Sequence, residues 1–153
     1  MRSFVTASIA IAIAAAAFVG PAAQAEQYKD YTPQKGAWSI QAIEVDPNHI
    51  DDYLTGIRKS LIVGFDLIKK RGMIDDYWVM TRMGYVKDSP TVLIGVHYPS
   101  LATLEPDKAR DEALNKEVFA VFSKEMGEKA VKGYETYRKF IDDALYNVVD
   151  FAK

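Results

Sequence analysis

The segment TVLIGVHYPS, residues 91–100, is apolar at both parities: Val92, Ile94 and Val96 alternate with Leu93, Gly95 and His97. Successive side chains of a strand point to opposite faces, so both faces of this one need cover. Residues 76–86 behave alike, with Val79 opposing Trp78 and Met80. So does WSIQAIEV at 38–45, where Trp38, Ile40 and Ala42 share one face and Gln41, Ile43 and Val45 the other. A sheet built from such strands needs helices on one side and a second apolar partner on the other.

The helices are legible between the strands. Asp46-Pro47 ends the first strand and supplies an N-cap followed by proline at the first helical position. From there Ile50, Leu54, Ile57, Leu61, Gly64 and Ile68 recur at alternating spacings of four and three, which predicts one long helix. Lys69-Lys70-Arg71 suits its C-terminal turn, and Gly72 its cap. Lys87-Asp88-Ser89-Pro90 reads as the turn between strands 76–86 and 91–98, and Pro99 ends the second of them. A second helical region begins at Glu105-Pro106-Asp107. It carries one stripe at Leu114, Val118, Val121 and Phe122 and another at Val131, Tyr134 or Tyr137, and Ile141, and with Gly127 between them it reads as either two helices or one bent one. Residues 144–151 read as a last strand. The order strand, helix, strand, strand, helix, strand is α+β, the ferredoxin-like βαββαβ arrangement with a four-stranded antiparallel sheet.

The N-terminus stands apart. Arg2 precedes the apolar stretch FVTASIAIAIAAAAFVG, and Ala23-Gln24-Ala25 fits a small-x-small cleavage site. Residues 1–25 are therefore expected to be a signal peptide cleaved after Ala25, which places the protein in the periplasm or outside the cell. Polar, turn-rich residues 26–36 are expected to form a flexible lead-in, and residues 37–153 a single α+β domain. Lys and Asp interrupt every later apolar stretch, so no membrane span is expected after processing.

Charge and composition exclude several classes. The formal net charge is -2, with both signs interspersed, which offers no basic field for nucleic acid. Cysteine is absent, removing disulfides, thiol nucleophiles and cysteine metal sites together. The isolated glycines have no phosphate-loop spacing. The two histidines, His49 and His97, cannot form a three-histidine metal site within one chain. His49 precedes Asp51 and Asp52, a pair suited to a helix N-terminus, so no metal is expected there. Two further acidic doublets, Asp75-Asp76 and Asp142-Asp143, lie at element boundaries as caps or carboxylate pairs.

The element order, the opening strand WSIQAIEVDP with its long helix, and the two-sided sheet resemble the dimeric α+β barrel superfamily over roughly Trp38 to Phe151. That superfamily includes antibiotic-biosynthesis monooxygenase-like, EthD-like and chlorite-dismutase-like families. The resemblance implies a homodimer packed sheet to sheet, and small oxygenases, degrading enzymes, haem binders or proteins without activity as neighbours in function.

His97 carries the chemical question. If Val92, Ile94 and Val96 face the helices, His97 shares the other face with Leu93 and Gly95, where a neutral imidazole accepts a proton or binds haem iron. The alternative is a strand-end histidine bonded to a neighbour or to water. Trp38, Tyr77, Trp78 and Tyr85 are candidate walls of an apolar pocket or ordinary interface residues. Three functions fit these residues. The first is an exported small-ligand-binding protein of the dimeric-barrel kind, with no cofactor specified. The second is an enzyme on a small hydrophobic or aromatic molecule, with His97 as base and Arg82 or Tyr98 as polar anchor. The third is an envelope interaction module.

Overall fold

A computed structural model of the chain describes residues 25–153. The leader expected at residues 1–25 thus lies outside the described residues except for Ala25. The chain is α+β, with two antiparallel sheets. Strands β2 (Ala37–Val45), β3 (Asp76–Thr81), β4 (Val92–Tyr98) and β5 (Arg138–Tyr146) form the larger sheet in the order β3-β4-β2-β5. Strands β1 (Tyr31–Pro33) and β6 (Val149–Phe151) form the smaller one, with Tyr31 opposite Phe151.

Four helices stand on one side of the larger sheet. They are α1 (Ile50–Lys59), α2 (Leu61–Lys70), α3 (Lys108–Val121) and α4 (Lys124–Tyr134). The core lies beneath them: Ile43, Val45, Val92 and Ile94 of the sheet meet Tyr53 and Ile57 of α1 and Tyr134 of α4. This settles the parity of β4. Val92, Ile94 and Val96 point to the helices, so Leu93, Gly95 and His97 occupy the face without helices.

Burial also fixes a polar pin between strands. Thr91 is 3% exposed; its hydroxyl accepts the Val45 N–H at 2.8 Å, and its own N–H donates to the Ile43 carbonyl at 2.9 Å. The pair locks the start of β4 to the end of β2.

Several boundaries differ from expectation. Asp46 caps as expected, accepting the Asn48 N–H at 2.8 Å, but it opens a short 3-10 turn (Pro47–His49) before α1. The single long helix is broken at Ser60, whose hydroxyl donates to the Gly56 carbonyl at 3.0 Å. Such back-bonding bends helices, and the unbroken apolar stripe hides it. The break between α3 and α4 falls at Phe122-Ser123 rather than Gly127, because the Ser123 hydroxyl accepts the Met126 N–H at 3.2 Å and starts a new helix.

The strands shift too. β3 stops at Thr81, well short of residue 86, and Gly84 (φ +84°) and Asp88 (φ +57°) carry the chain through a loop. Tyr137 and Ile141, expected on a helix, lie in a turn and in β5 respectively. The last strand begins at Arg138 and is interrupted after Tyr146, so residues 144–151 belong to two strands. Most of β5 is exposed, so its polar and apolar residues do not keep the period of a half-buried strand. Residues 26–36, expected to have little structure of their own, contain β1.

Candidate functional site

Two regions hold the residues of interest, one on each face of the larger sheet. On the helix-free face, register sets Trp38 opposite His97 and His97 opposite Asp76. The Trp38 ring lies 5.0 Å from the His97 ring and 5.8 Å from Trp78, centroid to centroid. The Asp75 carboxylate accepts a hydrogen bond at Nδ1 of His97, whose side chain is only 18% exposed. A carboxylate at Nδ1 fixes the imidazole orientation and tautomer and leaves Nε2 as the other functional nitrogen. That nitrogen lies near Gly36: a Cβ there would come within 3.2 Å of it.

The other sequence-derived candidates are dispersed. Arg82 sits at the opposite end of the β3–β4 hairpin, where its N–H donates to the Thr91 carbonyl. Five residues of strand, about 17 Å, separate that end from His97. Tyr98 follows His97 in β4 and so points to the other face, where burial and then Asp143 raise its hydroxyl's pKa. Tyr77 also lies on the helix side; its hydroxyl donates to Asp66 at 2.6 Å, which raises its pKa more than burial does. Tyr85 lies in the loop after β3 and lines a polar recess of about 290 Å³ with Glu44, Asp46 and Lys139. Of the expected pocket aromatics, only Trp38 and Trp78 meet.

The Asp52 carboxylate accepts from Nδ1 of His49 at 3.2 Å, and the His49 ring stacks on Tyr137 at 4.6 Å. Among the described residues, no three His, Asp or Glu side chains gather in a form that would hold a metal ion.

The second region is on the helix side. A cavity of about 490 Å³ lies between the sheet and all four helices, walled by Ile57, Leu61, Phe65, Val118, Phe122 and Phe140 among others. Helices α2 and α3 have no fully buried residue; Leu61 and Phe65 of α2 pack against the core and also border this space. Its polar end is built from Tyr53, Tyr134 and Arg138. The Tyr53 ring is 1% exposed and meets Tyr134 edge-on at 5.2 Å. Burial raises the Tyr53 pKa, while a hydrogen bond from Arg138 pulls it back. The Arg138 guanidinium lies 5.1 Å from the Tyr134 ring and 4.9 Å from the Phe140 ring. Gln41, on the cavity floor, donates to Asp143 at 3.1 Å.

Arg138, Tyr53 and Asp75 did not stand out in the sequence as site residues. Arg138 was hidden within an expected helix, and Tyr53 stood outside the apolar stripe of the first helical region. Asp75 belonged to an acidic doublet whose register against His97 is visible only once β3 and β4 pair.

Compared with protein-family models, with curated proteins and with solved structures, the chain matches none of them. Among the described residues no helix is long and apolar enough to cross a membrane.

Proposed function

We propose that this protein is an exported small-ligand-binding protein that takes a hydrophobic molecule into the cavity between its helices and its sheet. The observation that carries the reading is that cavity. Its volume of about 490 Å³ and its mainly apolar wall with a few convergent polar groups are the properties of ligand sites.

The same proposal includes a ferredoxin-like βαββαβ domain paired as a dimeric α+β barrel. Support comes from the β3-β4-β2-β5 antiparallel order and from the apolar composition of the helix-free face. Trp38, Trp78 and Leu93 lie there half-buried among themselves, beside Met80 at 53% and Tyr146 at 45% exposed. A second copy presenting the same face would cover them. Native mass spectrometry of the exported protein, repeated after denaturation, tests both parts. A dimer carrying extra mass that is lost on denaturation is the expected result; a bare monomer that takes up no apolar ligand would sink the reading.

A second reading, an enzyme with His97 as base, is favoured by the Asp75–His97 contact beside Trp38. It requires that His97→Ala abolish turnover while leaving the dimer and the helix-side cavity intact. Within one protomer Arg82 and Tyr98 do not join His97, since neither shares both the end and the face of the sheet where it lies.

A further inference from the structure

The cavity has a polarity of its own. Arg138 is the one charged residue among those lining it. Among the described residues no carboxylate lies within ion-pair distance of Arg138. Glu44 and Asp46 share the adjoining recess with Arg138, but neither pairs with it: Glu44 accepts the Asp88 N–H at 2.9 Å and Asp46 the Asn48 N–H at 2.8 Å.

A half-buried guanidinium with no carboxylate at contact distance has lost hydration that an anion in the cavity would restore. The rings of Tyr134 and Phe140 engage its plane. Aromatic faces used in this way leave in-plane N–H donors available, and their fork geometry matches a carboxylate. Next to this cation the wall turns apolar, through Ile57, Leu61, Phe65 and Phe122. We infer that the ligand is a small apolar carboxylic acid, its hydrocarbon part among these side chains and its carboxylate paired with Arg138. This rests on the ligand-binding function proposed above and adds the chemical class of the ligand.

Decanoate and decanol, titrated calorimetrically into the purified protein at neutral pH, separate the two claims. The alcohol keeps the tail and removes the charge. Decanoate is expected to bind about 10- to 100-fold more tightly than decanol, the scale of one charge-assisted contact. In Arg138→Met that preference disappears while decanol binding persists; in Arg138→Lys part of it remains. Gly64 lines the cavity and a Cβ there meets nothing within 4 Å, so Gly64→Leu grows into the space and weakens both probes. The near-ultraviolet circular dichroism of the Trp38–Trp78 pair, on the far face of the sheet, reports that each variant is folded.

Equal affinity for the acid and the alcohol in the wild type overturns the carboxylate while leaving the cavity as a ligand site. Equal weakening of both probes by Arg138→Met overturns it likewise. Binding of neither probe by the wild type overturns both claims, and binding untouched by Gly64→Leu removes this cavity as the site.

Discussion

The Trp78 indole lies across Gly95 of the neighbouring strand, so closely that a Cβ at Gly95 would stand 2.2 Å from Trp78 Cε2. Glycine within a strand usually costs about 0.5–1 kcal/mol relative to alanine. Here the indole occupies the space the methyl would need, and the sign reverses. Gly95→Ala is expected to lower stability by about 1–3 kcal/mol, the usual cost of overpacking. Urea unfolding measures the loss, and a reduced near-ultraviolet signal would accompany it as Trp78 moves from its place 5.8 Å from Trp38.

Thr91→Val keeps the shape of the side chain and deletes its hydroxyl. The buried Val45 N–H then has no acceptor, because Thr91 Oγ1 takes it at 2.8 Å. An unpaired buried donor costs about 1–3 kcal/mol. The midpoint of chemical denaturation should fall accordingly, with an unchanged slope. A neutral result would mean that the β2–β4 junction relaxes enough to find another acceptor.

Asp76 and Lys69 make a pH-dependent contact at the end of α2, 3.0 Å apart. The hydrogen bond from Lys69, then the Tyr77 backbone N–H, holds the Asp76 carboxyl below its ordinary value. A lowered carboxyl pKa in the folded chain stabilises it above the unfolded value of about 3.9. That contribution fades as pH falls through the folded value. Lys69→Met should raise the Asp76 midpoint in a carbon-13 titration, and the stability difference between the two proteins should vanish in strong acid. An unmoved midpoint would show that the backbone donor alone sets it.

Met80 tests the pairing of copies. It is 53% exposed on the helix-free face, where the proposed partner sheet would cover it. Met80→Lys should weaken dimerisation at least tenfold, since a lone ammonium would be buried against apolar neighbours. Sedimentation velocity across a concentration series reads this directly, and decanoate binding on the helix side should be unaffected. A dimer of unaltered strength would place the interface elsewhere.

The larger elements were legible because their signals are local. Two-sided apolar alternation marks β2 and β4, and Asp46-Pro47 marks the start of the first helical region. The positions of the breaks were not legible. Ser60 interrupts the first helical region through a single hydroxyl bond beneath an unbroken apolar stripe, and Ser123 opens α4 ahead of the glycine that marked the change of stripe. Arg138 was obscure for a different reason: β5 is an edge strand, largely exposed, and lacks the regular alternation that separates a strand from a polar helix. The site itself depends on non-local pairing. His97 meets Asp75 only through the β3–β4 register, and Arg138 meets Tyr53 only when the last strand docks beside β2.

The pairing of β1 with β6 sets the order in which the molecule can be finished. Tyr31 waits for Phe151, and the Gln34 N–H for the Val148 carbonyl at 2.8 Å. Between them, β2 waits for β5, the strand that carries Arg138 to the cavity. As the chain emerges from the ribosome, β2, β3 and β4 can assemble early with α1 and α2. The sheet then stands with one side of β2 unpaired until β5 is made. On the export proposed above, this late closing step would keep the precursor unfinished, and so threadable, while β5 is still to come.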